Sequence, residues 1–457
     1  MSNSKKASKS SSAGKRAGKL SEDQIKANFT DMHPPLTASQ AYIEAGRCYF
    51  CYDAPCTTAC PTGIDIPEFI KRIQTGNTKG SARKILEQNI MGGMCARVCP
   101  TEVLCEEACV RNTHESKPVA IGLLQRYATD EVIHKKVPLF ERITPTDKTV
   151  AVIGAGPAGM SCAHRLAAWG HNVTVFDKNE KAGGLNEYGI AAYKALDDIA
   201  QKEIEYILAI GGIEIKPGVQ LGPDFTLDKL RDEYDAVFMA IGLSGVNQFK
   251  IAGEEVNGVF DAVNYIHDLR QAELMSHLPV GDKVVVIGGG MTAIDIAVQS
   301  KKLGASEVTI VYRRDKTYMK ASEHEQHFAQ INDVKLRYCA GPKRVLSKDG
   351  RVTGVEFGVT ELDAKGNISE TGRSYQLEAD VLFKAIGQTL SADQPGGSAG
   401  SLTLENGRIA VSDDRKTSLD NVWAGGDCIS GGEDLTVSAV QDGKLAAQSI
   451  HEYFQDS

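Results

Sequence analysis

Eight of the chain's eleven cysteines stand between Cys48 and Cys109. The first four read C-x2-C-x4-C-x3-C-P (Cys48, Cys51, Cys56, Cys60, Pro61). The second four read C-x3-C-P-x4-C-x3-C (Cys95, Cys99, Pro100, Cys105, Cys109). Thiols this dense, in a chain whose N-terminus lacks the apolar core of a secretory signal, point to metal binding and not to disulfides. Zinc sites come as two separated C-x2-C pairs. Four cysteines within thirteen residues that close on Cys-Pro follow iron–sulfur runs, in which the fourth thiolate reaches the other cluster. The spacing predicts two 4Fe–4S clusters with interleaved ligands, with structural zinc as the alternative. On spacing alone Cys95 is the eighth ligand and Gln125 an ordinary helix-surface residue.

Two glycine-rich turns supply a second chemistry. Thr149–Ile153 is a short β-rich apolar run that leads into Gly154-Ala155-Gly156-Pro157-Ala158-Gly159, a helix over Met160–Trp169 and a strand over Val173–Asp177. Gly154 permits the tight turn, Gly156 lets backbone approach a pyrophosphate, and Gly159 lets the helix pack on the strand. The helix N-terminus then faces the phosphates with unpaired N–H groups, with Pro157 and Ala158 of the turn beside it. Asp177, 23 residues after Gly154, can accept from ribose hydroxyls. The arrangement returns in Lys283–Ile287, Gly288-Gly289-Gly290-Met291-Thr292-Ala293, a helix to about Leu303, and a strand over Val308–Tyr312. This copy ends in Arg313-Arg314, with Lys320 close behind. Arginines there favour a 2′-phosphate, hence NADP over NAD; a solvated strand-end charge pair is the alternative. Later, Phe383–Gln388 echoes Phe238–Leu243, Asn421–Asp427 reads as a strand ending in Gly425-Gly426-Asp427, and Val437–Tyr453 reads as a helix.

These features require an α/β chain: two Rossmann-like dinucleotide-binding domains, the second inserted into the first, preceded by an α-helical iron–sulfur domain. The boundaries read as a disordered basic tail over 1–35, a cluster domain over 36–142, an FAD domain over 143–246 and 388–457, and an NAD(P) domain over 247–387. The first 19 residues hold six Lys/Arg and no acid, which marks the tail. Helices are expected over Ile66–Ile73, Ser81–Gln88 and Val119–His134 from apolar spacing of three and four. Ligands at the C-terminal edges of the two sheets can face each other, so a nicotinamide can stack on a flavin. A net charge of −8 gives no nucleic-acid character. No apolar run is long enough for a membrane span. Free thiols at cluster spacing need a reducing compartment, which places the protein in the cytoplasm.

The combination Gly154–Gly159 with Asp177, Gly183-Gly184-Leu185, Gly288–Ala293 and Ala424–Asp427 resembles the glutamate synthase small-subunit superfamily. Three stretches are similar, within it, to the N-terminal half of dihydropyrimidine dehydrogenase and its split bacterial PreT-type form. These are Cys99–Cys105 with five intervening residues, Ile121-Gly122-Leu123-Leu124-Gln125, and Val437–Ala447. The resemblance covers about Leu36 to the C-terminus. It implies one cluster on Cys48, Cys51, Cys56 and Cys109, and a second on Cys60, Cys99, Cys105 and Gln125, with Cys95 a packing residue. It implies FAD in the first Rossmann domain, with Gly184, Leu185, Lys194, Gly426 and Asp427 near it. NAD(H) or NADP(H) falls to the second. The split bacterial enzymes use NAD(H), against the arginine pair, so the nicotinamide stays open.

Disulfide reductases of this architecture carry a cysteine pair after the first fingerprint; Gly183–Ile190 has none. Electrons that reach the flavin are expected to leave through the clusters, since a flavin takes two electrons as hydride and releases them singly. The full-length family continues into an FMN-bearing barrel that reduces uracil or thymine. This chain is expected to feed such a partner (PreA-type, in a heterotetramer), with no side chain of its own in acid–base catalysis. The rival readings are a glutamate synthase small subunit, a free-standing NAD(P)H:acceptor oxidoreductase and a non-enzymatic redox sensor.

Overall fold

The computed structural model describes residues 20–363, 365–390 and 402–456, which fall into two compact units. One runs from Asp31 to Gly245 and resumes at Gln388. The other joins residues up to Thr30 to Val246–Gly387.

The first described element is α1 (Glu22–Asn28), closed by a capping box between Ser21 and Gln24. A disordered tail through residue 35 therefore fails from residue 20 onward. Beyond Lys19 the basic run gives way to apolar residues at helical spacing, and Ile25 and Phe29 are buried. Residues 1–19 lie outside the described residues.

The cysteine-rich segment is built from α2 (Ala38–Ala45), α3 (Ile66–Gln74), α4 (Thr78–Leu86), α5 (Gly92–Val98) and α6 (Ile121–His134). Asp65 caps α3 by accepting from Glu68 N–H, and Ile66, Phe69, Ile70 and Ile73 form its buried face. Asn77 caps α4 through Gly80 N–H, so that helix starts three residues before the apolar spacing suggests.

Strand β1 (Thr149–Ile153) pairs in parallel with β2 (Asn172–Phe176), and between them lies α7 (Pro157–Ala168). After α8 (Ile199–Leu208) come β3 (Ile213–Lys216) and β4 (Ala236–Met239). All four strands are parallel. The cysteine-rich segment does not stand apart from this sheet. Phe69, Ile85, Leu124 and Val132 lie in one apolar cluster with Val150, Val152, Leu166 and Ile204.

The inserted unit contains β5 (Val259–Asp261), α9 (Ala262–Gln271), β6 (Lys283–Gly288), α10 (Met291–Lys302), β7 (Glu307–Val311), α11 (Glu323–Ile331) and β8 (Val334–Arg337). A three-stranded antiparallel meander follows: β9 (Ala340–Lys348), β10 (Arg351–Leu362) and β11 (Ile368–Glu378). Then β12 (Val381–Ala385) enters the parallel sheet, whose order is β5-β12-β6-β7-β8. The meander closes one face: Val345, Val355 and Phe357 join Val285, Ile287 and Leu382 in a core. Here α1 also docks. Its Asn28 Nδ2 donates to Lys302 O at 2.9 Å, and its Glu22 Oε2 accepts from Ser276 N at 3.0 Å.

The chain returns with β13 (Val422–Ala424), completing the first sheet as β13-β4-β1-β2-β3, and ends in α12 (Thr436–Asp456). Helix α12 lies on α7 at Gly443, where an added Cβ would sit 2.1 Å from Ala158 O. Among the described residues no helix is long and apolar enough to cross a membrane.

Candidate functional site

The cysteines collect at two places. Cys51 and Cys109 act electrostatically on Cys48, and Cys48 and Cys109 act on Cys56. Burial pushes the Cys56 thiol up to about 12, and Cys48 and Cys109 add to the effect. Crowded thiols resist ionisation until a cationic centre takes their protons' place. The loop that brings them together is strained, with Phe50 at φ 53° and Ala54 at φ 21°. The second place is a cavity lined by Cys60, Cys95, Cys99, Cys105, Asn89 and Gln125, with Val437 of α12 at its edge. There the Cys99 thiol is held well above its ordinary range by its hydrogen bond with Cys95, by burial and by Cys105 and Cys60.

Both candidates for the eighth ligand line this cavity. Gln125, on buried α6, donates its Nε2 to Gly92 O at 2.7 Å, which commits the nitrogen and leaves the amide oxygen as acceptor. Cys95 is buried at 2% exposure on α5. Asn89 Nδ2 is buried with no hydrogen-bond partner, a donor suited to cluster sulfide. Among the described residues no three His, Cys, Asp or Glu side chains are arranged to hold a single metal ion; a cubane spreads its ligands over four irons. Soft donors, the cavity and the orphaned Asn89 donor fit 4Fe–4S clusters.

The first glycine turn is shaped for close approach. Gly154 has φ 105°, and a Cβ there would lie 2.2 Å from Ala240 O; one on Gly159 would lie 1.9 Å from Gly154 O. Gly156 faces open space, except for Gly184 Cα at 3.8 Å. No side chain caps α7, so its first N–H groups are left for an anion. Asp177 is buried and braces the turn: Oδ2 accepts from Ala155 N at 2.6 Å and Oδ1 from Asn179 N at 2.8 Å. Pro157 and Ala158 open α7, Leu185 is 39% exposed and Lys194 is half-buried. Gly426 N donates to Asp442 Oδ2 at 2.8 Å. Burial, with Asp434, pushes the Asp427 carboxyl up to about 7, against Arg408. A cradle that only glycine leaves open beside an uncapped helix fits the pyrophosphate of FAD.

The second turn repeats the geometry in its own unit. A Cβ on Gly288 would lie 2.2 Å from Ala385 O, Gly290 has nothing within 4 Å, and α10 has no side-chain cap. Thr292 and Ala293 stand in the first turn of α10, with Ala293 fully buried. Arg313 and Lys320 are exposed. Arg314 is half-buried over the Tyr318 ring, and its Nε is buried without a hydrogen-bond partner among the described residues. An orphaned guanidinium donor at this strand end fits a phosphate.

Sequence reasoning missed the residues that tie the flavin turn to the cysteines. Glu203 of α8 is buried; Oε1 accepts from Gly93 N at 2.8 Å and Met94 N at 3.2 Å, capping α5. Burial drives its carboxyl up to about 8, against those two N–H groups and Arg97. Lys444 of α12 reaches Thr62 O at 2.7 Å and Gln88 Oε1 at 3.0 Å. Both lie in helices whose sequence pattern gives no sign of these distant contacts.

Residues 148–443 match the pyridine nucleotide-disulphide oxidoreductase family, and residues 25–137 match dihydropyrimidine dehydrogenase domain II, 4Fe-4S cluster. The NAD-dependent dihydropyrimidine dehydrogenase subunit PreT of Salmonella typhimurium is 33% identical over 431 residues, 94% of this chain and 98% of that protein. The glutamate synthase (NADPH) small chain of Escherichia coli K12 is 32% identical over 453 residues, 94% and 95% of the two chains. Mycobacterium tuberculosis FprA in complex with NADPH superposes with a TM-score of 0.58 at 17% identity, over 68% of this chain and 85% of that one, a likeness of fold. The chain belongs to the pyridine nucleotide-disulphide oxidoreductase family, as a PreT-like, flavin- and NAD(P)-dependent oxidoreductase with a dihydropyrimidine dehydrogenase-type 4Fe–4S domain.

Proposed function

We propose that this chain is the NAD(P)H-oxidising, electron-input subunit of a two-chain dihydropyrimidine dehydrogenase. Its partner is an FMN-containing catalytic subunit that reduces uracil or thymine to the 5,6-dihydro form, and the pair forms a heterotetramer in the cytoplasm. When bound, FAD takes a hydride and gives up single electrons, and 4Fe–4S clusters carry them.

The chain's residues place these groups. Gly154, Gly156, Gly159 and Gly184 would cradle the FAD pyrophosphate; Asp177 braces the first turn, and Asp427 would reach the ribityl or pyrophosphate region. Gly288, Gly290 and Thr292 would cradle the nicotinamide cofactor, with Arg313, Arg314 and Lys320 at its ribose end. Cys48, Cys51, Cys56 and Cys109 would hold one cluster; Cys60, Cys99, Cys105 and Gln125 the other.

One observation carries the reading: the cavity that contains Cys60, Cys99, Cys105 and Gln125 is edged by Val437, on the helix whose Asp442 holds Gly426. Identity alone does not separate dihydropyrimidine dehydrogenase from glutamate synthase. The Cys99–Cys105 spacing and Gln125 favour the former.

The test is co-expression with an FMN-barrel partner, assaying oxidation of NADH and of NADPH with uracil or with glutamine plus 2-oxoglutarate. Uracil-dependent oxidation that needs both chains is expected; glutamate formation with a glutamate synthase large chain would transfer the protein to the rival reading.

A further inference from the structure

The strongest unexplained charge in the larger unit is Lys444. Its Nζ donates to Thr62 O and Gln88 Oε1, and both acceptors are neutral. The charged groups that act on it are Arg165, which opposes the ammonium, and Cys60, which favours it. Arg165 is itself drawn out of water, donating to Glu87 O at 2.6 Å beside the Trp169 ring. Among the described residues no carboxylate pairs with Lys444. The Glu87 carboxylate acts favourably on Arg165, whereas Lys444, drawn out of water beside it, is costly unless an anion lies close.

The nearby candidate anion is the Cys60 thiolate and whatever it binds. Thr62, whose carbonyl accepts from Lys444, stands two residues beyond Cys60, and its hydroxyl lies 3.3 Å from Cys60 Sγ. A 4Fe–4S cluster on three thiolates and a neutral amide carries net negative charge, and reduction adds one more. A fixed positive charge in a medium of low dielectric stabilises the reduced form more than the oxidised one.

We propose that Lys444 is the counter-ion of the cluster held through Cys60 and raises that cluster's reduction potential, so that it accepts single electrons from the reduced flavin. This rests on the ligand assignment above. The same helix, α12, carries Asp442, which holds the Gly426 turn. One rigid element thus sets both the flavin turn and the charge beside the cluster. Among the cysteines, Cys60 is the one whose charge acts on Lys444, so the larger effect falls on its cluster.

The test is an EPR-monitored redox titration of the full chain, prepared anaerobically and reduced with photoreduced deazaflavin. Wild type is compared with Lys444→Met, Lys444→Gln, Lys444→Arg and Gln88→Ala. Lys444→Met and Lys444→Gln should lower one cluster's reduction equilibrium constant at least about tenfold, about 59 mV for one electron, and leave the second cluster and the flavin in place. Lys444→Arg and Gln88→Ala, which keep the charge, should stay near wild type. Cys60→Ala should remove that same cluster. Unshifted potentials in Lys444→Met and Lys444→Gln, or a shift of equal size in Lys444→Arg, would overturn the proposal while the ligand assignment stands. A wild-type chain without iron and sulfide would overturn both, and iron analysis reveals that before any variant is made.

Discussion

The molecule contains the same nucleotide turn twice, and the two copies differ in what surrounds them. At Gly154 and at Gly288 an added Cβ would strike the carbonyl of the neighbouring parallel strand, Ala240 or Ala385, at 2.2 Å. The equivalence explains why Phe238–Leu243 and Phe383–Gln388 echo each other. The third position differs: Gly159 is locked against Gly154 O, whereas the second turn has room for the methyl of Ala293. One copy shares its core with the cysteine-rich helices; the other closes its core with its own antiparallel meander. The turn's backbone is thus generic, and what differs is the neighbouring element: cysteine-rich helices at one copy, the meander at the other.

The largest effect should come from breaking the turns one at a time. Gly154→Ala combines a positive φ with a backbone clash, costing roughly 1–3 kcal/mol in strain alone. It should abolish FAD retention, read as flavin absorbance per chain. Gly288→Ala should keep the flavin but lose its bleaching by NADPH and NADH. If Gly288→Ala also removed the flavin, the two turns would not be independent.

Next comes the ribose end. Arg313→Ser with Arg314→Ser should lower kcat/KM for NADPH by roughly 10- to 100-fold, the loss of a charge-assisted contact, with NADH changed little. A wild type that already prefers NADH would make the pair a solvated strand end.

At the cavity, Gln125→Leu should perturb one cluster while Cys95→Ala leaves both intact, by iron content and EPR. The opposite outcome returns the eighth ligand to Cys95, where spacing alone puts it.

The smallest effect tests the join between the flavin sheet and the cysteine helices. The Glu203 carboxyl is raised to about 8 in the folded chain from an ordinary value of 4.5. Between those values the folded state holds a proton that the unfolded state has released. This contribution is therefore full below about pH 4.5 and lost as pH rises toward 8. Glu203→Gln keeps an oxygen to accept from Gly93 and Met94 N–H but cannot ionise. It should match the wild-type Tm near pH 5 and exceed it by a margin that grows up to about pH 8 and then levels off. Parallel Tm curves would contradict the buried, protonated state.

Much of this was legible in the sequence because it depends on residues with few substitutes. Only glycine fits the turns at Gly154 and Gly159, and clustered cysteines have few roles in a chain of this kind. What stayed hidden depends on contacts distant in sequence. Glu203 caps a helix 110 residues away, and its own helix pattern gives no hint of it. Lys444 bonds to Thr62, 382 residues away. The meander was missed because β10 and β11 carry their apolar residues without clean alternation, broken by the register shift between Gly358 and Thr360. Helix α1 was masked by the basic run before it.

The most direct test is the iron, acid-labile sulfide and FAD content of the anaerobically isolated chain. Two cubanes and one flavin predict about eight irons and about eight sulfides per FAD. Zinc without sulfide in the thiol pockets, or a colourless protein, would contradict the account.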